Sequence, residues 1–281
     1  MKKAYLLAFL LISTFFFACK DENISTDLNP NLNAARNNTL AEDIIQDVFR
    51  ILHQAGYDTA LHQQGEKEIF AATVFYDTLQ DSTFIRVFYP NWNVVCPDSL
   101  KRKGQITLNM DGSFDESGSS GKIRFISFAV QNILLEGSLS FENPGKLNDS
   151  TPAFKLATSG IKFFLSDSLN TFTWESRQDI SWVSGSATSQ DFGDDIFHFT
   201  ANSKGYSEDD QYFTSTSISP LVKSSTCRWI HGGSCQFSTS GLEVKQGEIV
   251  FRDADSCQSH FDMYFDGTHY YDSFEKIYGM Y

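Results

Sequence analysis

The side chains in this sequence with chemistry to offer are cysteines, histidines and clustered acids. Five cysteines stand at Cys19, Cys96, Cys227, Cys235 and Cys257. Cys19 closes an apolar run that starts at Ala4 and follows Met1-Lys2-Lys3. A charged start, a short apolar stretch and a small residue (Ala18) before the cut compose a secretory signal spanning residues 1–18. The run is short for a transmembrane helix. Export leads to an oxidising compartment, so the remaining four cysteines suggest disulfides. Cys227 and Cys235 flank Gly232-Gly233 and can face each other across a hairpin. Alternatively Cys227 joins Cys257, which leaves Cys96 with Cys235; this is the preferred pairing. A zinc site is not supported, because neither a C-x-x-C nor an H-x₃₋₅-H spacing occurs.

The histidines His53, His62, His198, His231, His260 and His269 are scattered. His260 and His269 flank Asp266-Gly267, and with Asp262 they are the weakest kind of metal candidate. Three acidic clusters invite a calcium reading: Asp111 with Asp115 and Glu116, Asp191 with Asp194 and Asp195, and Asp253 with Asp255. None has the twelve-residue loop with its spaced ligands and closing Glu, so solvated turns explain them better. The chain has no G-x-S-x-G, H-E-x-x-H, P-loop or dinucleotide fingerprint. It therefore supplies no catalytic set and no cofactor signature. Paired carboxylates for glycoside hydrolysis need only proximity in space, which the sequence does not fix.

These residues must be held by elements. Residues 19–38 are polar, rich in Asn and without an apolar period, which predicts a flexible tether. From Thr39 the pattern becomes helical. Ile44, Ile45, Val48, Phe49, Ile51 and Leu52 recur on one face, Thr39 and Glu42 have capping-box spacing, and Gly56 can end the helix. The opposite face carries Glu42, Asp43, Gln46 and Asp47. The stripe asks for a sheet to cover it, in a helix-and-loop unit at 39–65. Beyond residue 66 the period is two. Phe84 to Tyr89, Ile196 to Thr200 and His260 to Phe265 read as strands, and Asp111-Gly112 and Asp266-Gly267 read as tight turns. A dozen or more strands of about 5–9 residues fit, with no crossover helix. The expected fold is all-β: a large antiparallel meander over 66–281, as a curved sheet or β-sandwich, with one N-terminal amphipathic helix. A Gly-x-Ile-x-apolar echo at Gly104, Gly121 and Gly247 suggests two related halves, 66–150 and 155–281.

The 281 residues carry 35 acidic against 22 basic side chains, for a net charge of −13. That balance argues against nucleic acid as a partner, since phosphate binding depends on Lys and Arg. Aromatic residues make up 15% of the chain, which argues against disorder.

Ala18-Cys19 followed by Lys20-Asp21-Glu22 resembles the lipoprotein signal and export tag of Bacteroidota. That resemblance implies a lipidated Cys19, a membrane held as partner through that anchor, and a place on the outer membrane facing the exterior. "CPDSLKRKGQITLNMDG", "GKIRFISF" and "ISPLVKSSTCRWIHGG" resemble a family of Bacteroidota surface lipoproteins of unknown function. Asp-Ser/Thr-aliphatic triplets are similar to an O-glycosylation tripeptide of exported Bacteroidota proteins, and place candidate sugars on Thr59, Thr78, Ser99 and Ser168.

The functional expectation is a non-enzymatic binding or structural module of the cell envelope, with a glycan or an envelope protein as partner. Trp92, Trp174, Trp182 and Trp229, with exposed tyrosines, are the candidate sugar-stacking residues. A lipid-handling factor with an acyl chain in the concave face and a glycan-active hydrolase are the competing readings.

Overall fold

The computed structural model describes residues 32–79, 81–147, 150–166, 169–240, 246–252 and 257–280. The signal run, Cys19, Ser168 and the Asp253/Asp255 pair lie outside the described residues.

Fourteen strands form one antiparallel sheet in strict chain order. They are β1 (Glu66–Ile69), β2 (Ala72–Leu79), β3 (Ser82–Val95), β4 (Lys101–Asp111), β5 (Ser120–Val130), β6 (Ile133–Leu147) and β7 (Thr151–Phe164), then β8 (Thr171–Ser184), β9 (Ile196–Tyr206), β10 (Tyr212–Ser224), β11 (Gly232–Thr239), β12 (Gln246–Phe251), β13 (His260–Phe265) and β14 (Thr268–Ser273). The helices are α1 (Asn33–Tyr57), α2 (Thr59–Gln64) and α3 (Phe274–Ile277). The expected all-β meander is present, as a single curved sheet. Its pairing runs on from β6 through β7 to β8, without a break at 150–155.

The helix is longer and more enclosed than its sequence suggests. It begins six residues before Thr39, inside the stretch expected to be tether. The reason is tertiary. Asn33 donates to Asp209 Oδ2 at 2.9 Å, Asn37 to Glu208 Oε2 at 3.1 Å, and Arg36 pairs with Asp272 at 2.5 Å. Trp174 Nε1 donates to Asn38 Oδ1 at 3.2 Å. The β9–β10 loop, β14 and β8 thus supply partners for a polar segment that has weak helix propensity of its own. Thr39 caps nothing, since it lies within α1. Gly56 does not stop the helix either. Asp58 does, leaving helical geometry and accepting a hydrogen bond from Leu61 N at 2.9 Å to cap α2.

Every residue of α1 except Asn33, Arg36, Gln54 and Tyr57 is buried. The helix touches β1, β3, β8, β9, β10 and α3, so the sheet wraps around it. Irregular pairing bends the strands enough. Register shifts interrupt the pairing of β3/β4, β4/β5, β5/β6, β6/β7, β7/β8 and β9/β10. Each adds local twist and a kink. Gly104, inside β4 rather than at its entry, takes φ +84°, where a Cβ would lie 2.2 Å from Ser127 O. A second feature seals one end of the wrap. Asp111-Gly112 does not make a tight turn; residues 112–119 form a loop that inserts Phe114 into the core, stacked on Phe141 with ring centroids 4.7 Å apart. Burying a Phe is worth about 1.5–3 kcal/mol, which outweighs the preference for a short turn. Asp266-Gly267 does make the expected two-residue turn, with φ of +49° and +78°.

Enclosure puts the polar face of α1 inside the protein, where each charge needs a partner. Arg102 of β4, fully buried, donates to Asp47 Oδ1 and Oδ2 at 2.8 Å each and to Asp98 Oδ2 at 2.7 Å. Arg50 joins the same two carboxylates at 2.8 Å each. Two cations and two anions close this cluster. Burial alone would raise the Asp98 carboxyl, but the two guanidinium groups overcome that and hold it well below the usual range.

Cys227 and Cys257 are joined, as preferred. Cys96 and Cys235 are not paired; both are buried free thiols. Each is engaged locally, Cys96 Sγ against Val94 O and Cys235 Sγ against Ser217 Oγ.

Gly56 makes room for the loop plug, since a Cβ there would meet Phe114 Cγ at 2.2 Å. Gly56→Ala is expected to destabilise the protein by about 1–3 kcal/mol through overpacking. The same change in a Phe114→Ala background should cost much less. A double-mutant cycle by denaturant unfolding measures the difference.

Candidate functional site

Outward-facing positions alternate with inward ones along β8, β9 and β10. On β8 Phe172, Trp174, Ser176 and Gln178 are buried, while Arg177 and Asp179 are exposed. The register aligns Glu175 with Lys204 and Arg177 with Asn202. It then aligns Lys204 with Thr214 and Asn202 with Thr216. These side chains line a recess of about 410 Å³. A second recess of about 400 Å³ shares Thr158, Ser159 and Arg177 and adds Lys122, Ser138 and Ser140. Together they make one open groove across β5 to β10 on the convex face. The register shift in β7 between Thr158 and Ile161 dips the sheet there.

The groove is a field of hydroxyls with a few charges. Lys204 Nζ pairs with Glu175 Oε2 at 3.1 Å. Among the described residues, Lys122 and Arg177 have no ion-pair partner, so the groove is locally cationic on an acidic protein. Tyr206 and Tyr212 continue the same outward rows directly beyond Lys204 and Thr214. They face each other across β9 and β10, ring centroids 5.3 Å apart, and are 52% and 37% exposed. An exposed aromatic pair beside hydroxyls and cations offers stacking and hydrogen bonds together.

Ser176 and Ser203 turn inward under this groove. Ser203 donates to Glu42 Oε1, Gln178 donates to Glu42 Oε2, and Gln46 donates to Gln178 Oε1 at 2.9 Å. Burial pushes the Glu42 carboxyl up to about 7, against the opposing hydrogen bonds from Ser203 and Gln178. Further along α1, His53 sits in a cage of Phe49, Tyr57, Phe114, Phe154, Trp182 and Phe197. Burial drives it down to about 3.

The residues singled out from sequence are dispersed. Trp174, Trp182 and Trp229 are buried and offer no face to a sugar. The indole N–H of Trp182 donates to Asp195 Oδ1 at 2.9 Å, and Trp229 stacks on Phe274. Trp92 is 70% exposed at the end of β3, apart from the groove. Thr59, Thr78 and Ser99 are exposed, and Ser99 stands at φ +66° in a turn. His269 meets Asp262 at 2.7 Å, but Asp262 also takes both 2.6 Å bonds of Arg252, and His260 stacks instead on Tyr271. Among the described residues no group of three or more His, Cys, Asp or Glu is placed to hold a metal ion. Asp191 and Asp194 serve loop hydrogen bonds to Gly193 N and Thr188 Oγ1.

Sequence reasoning missed the tyrosine pair and the cationic groove, which exist only through cross-strand register. The inward cation Arg102 did leave a signal: it shares its period-two phase with Ile106, Leu108 and Met110. The chain matches no family model, no curated protein and no solved structure.

Glu42 sets a pH dependence of known sign. The folded chain holds its proton up to about pH 7, while the unfolded chain releases it near the ordinary glutamate value of 4.5. Its contribution is therefore full below about pH 4 and is lost as pH rises to about 7. His53 acts oppositely, losing stability as pH falls below about 6.5. Glu42→Gln keeps an oxygen for Ser203 and removes the first slope. The variant is expected to gain on the wild type between pH 4.5 and 7, by up to about 3 kcal/mol. Chemical unfolding at a series of pH values checks this.

Proposed function

We propose that this chain is a lipid-anchored, non-enzymatic binding module of the bacterial cell envelope, and that its convex groove takes an acid-bearing oligosaccharide. The observation that carries the reading is the Tyr206/Tyr212 pair at the end of a hydroxyl-lined groove that holds the unpaired cations Lys122 and Arg177. Sugar rings stack on exposed aromatic faces. Hydroxyls of Thr214, Thr216 and Ser140 and the amide of Asn202 suit a polyhydroxylated ligand. A guanidinium suits a planar carboxylate, which it binds through two parallel N–H donors.

Binding is favoured over hydrolysis by the carboxylate count. Glycoside cleavage uses two carboxyl groups across the scissile bond. Among the described groove-lining residues Glu175 is the one carboxylate, and Lys204 holds it. The lipid-handling reading would place an acyl chain in the concave face, but α1 fills that space. The anchor is supported by the apolar run ending in Ala18-Cys19 and by the Lys-Asp-Glu that follows. On this reading the module sits on the outer membrane, facing outward. An acidic body is repelled by anionic head groups, so acyl chains on Cys19 do the anchoring.

The groove is tested with oligogalacturonate as probe, in titration calorimetry against a neutral oligosaccharide of equal length. The acidic probe should bind and the neutral one should bind more weakly. Arg177→Ala should lose about tenfold or more in affinity, the worth of a hydrogen bond to a charged group. Tyr212→Ala should lose affinity for both probes. Equal binding by wild type and both variants would reject the site.

The anchor is tested separately. Radiolabelled palmitate should enter the wild type in cells and fail to enter Cys19→Ser. Unchanged labelling of the variant would contradict lipidation at this residue.

A further inference from the structure

A second polar cluster inside the wrap does not belong to the groove. Lys223, near the end of β10, places Nζ 2.7 Å from Asp43 Oδ1 of α1. Tyr278, just after α3, donates its hydroxyl to Asp43 Oδ2 at 2.9 Å. The backbone N–H of Ile230 donates to Asp43 Oδ1 at 3.0 Å. Lys223 Nζ also donates to Arg228 O at 2.5 Å. Asp43, Lys223 and Tyr278 are 0%, 1% and 1% exposed.

This pair differs in kind from the others. The Arg102 and Arg50 guanidinium groups are poor nucleophiles that stay charged in proteins. A lysine amine is a nucleophile once it loses its proton, and lysines shift readily when buried. Other lysine–carboxylate pairs among the described residues leave at least one partner partly exposed, as in Lys67–Asp58 and Lys276–Asp272. Lys223–Asp43 alone is dry at both ends.

We propose that Lys223 and Asp43 condense to an intramolecular amide, a covalent bond between the central helix and β10. The chemistry balances within the chain. A proton passes from the Lys223 ammonium to Asp43 Oδ1, which leaves a neutral amine beside a neutral acid. The Nζ lone pair attacks Cγ, and the carbonyl electrons move to Oδ2, where the Tyr278 hydroxyl holds the developing charge. The Cγ–Oδ1 bond then breaks, and Oδ1 leaves as water with a second proton from Nζ. One C–N bond forms, one C–O bond breaks, and nothing is oxidised or reduced. Burial favours the neutral pair that begins this sequence: it lowers Lys223 and raises Asp43, though each charge opposes the shift of the other. Fixed proximity in a water-poor site supplies the drive, since effective molarities of oriented groups reach about 10⁵–10⁸ M.

The bond would fasten α1, the element that continues from the N-terminal segment, to the last third of the sheet. The Cys227–Cys257 disulfide begins four residues beyond Lys223. The two bonds together would clasp α1, β10 and the segment before β13, so that tension on the N-terminus could not draw the helix from the wrap.

Intact mass spectrometry of the purified full chain decides the matter, with the two hydrogens lost at the disulfide allowed for. The wild type is expected about 18 Da below the mass of its processed sequence, the one water released by an amide. Tryptic fragmentation should place the loss in a branched peptide joining the Lys223 and Asp43 segments. Lys223→Arg keeps the buried cation without the amine and should show the full mass while folded, as judged by circular dichroism. Tyr278→Phe should accumulate the uncrosslinked form. A wild type at full mass would overturn the proposal. A loss of water mapped elsewhere, such as a succinimide at Asp111-Gly112 or Asp266-Gly267, would overturn it too, as would the same loss in Lys223→Arg.

Discussion

The structure depends on matching the charges of a helix that has no solvent-facing side. The wrap can close around α1 only if Asp43, Asp47 and Arg50 find charge partners and Glu42 finds hydrogen bonds, because an unpaired buried charge or polar group costs several kcal/mol. The wrap supplies them from widely separated strands: Arg102 from β4, Gln178 from β8, Ser203 from β9 and Lys223 from β10. The buried ion pairs Arg102–Asp47 and Lys223–Asp43 contribute little net stability against apolar isosteres, yet removing one member costs about 3–5 kcal/mol. Here they have a geometric effect. Partners drawn from strands β4, β8, β9 and β10 to one face of the helix fix both its rotation and its depth, which an apolar stripe alone would leave free to slide.

Function follows from the same constraint. A curled sheet offers an inner face and an outer face to ligands, and α1 has taken the inner one. The convex face is left, and the register shifts that bend the strands also dip it into a groove at Thr158 and Arg177. The curvature that encloses the helix and the recess that offers a binding surface thus share one origin. The groove is locally cationic although the chain carries a net charge of −13, so an anionic ligand meets favourable charge there against a repelling surround.

The strands were legible because period two is a local property. Segments such as Phe84 to Tyr89 and His260 to Phe265 declare their inward and outward faces without reference to the rest. The Asp266-Gly267 turn was legible for the same reason, while Asp111-Gly112 was not: a buried Phe114 three residues on overrides local turn chemistry. The start of α1 was hidden because Asn33 to Asn38 are helical only through contacts with Asp209, Glu208, Asp272 and Trp174, far along the chain. The polar face at Glu42, Asp43, Gln46 and Asp47 resembled a solvated surface, since single positions cannot show that strands on the far side carry complementary charges. The groove was the least legible feature, because it is made by register across six strands.

The central claim is that helix and wrap are one cooperative body. Native-state hydrogen exchange tests it most directly, since amides that open only with the whole fold exchange at the global limit. The account predicts that the amides of residues 40–53 in α1 exchange with the same free energy as the central strands β6 to β9, and that denaturant lowers both with the same slope. Exchange of the helix through a separate opening, with the sheet still protected, would contradict it.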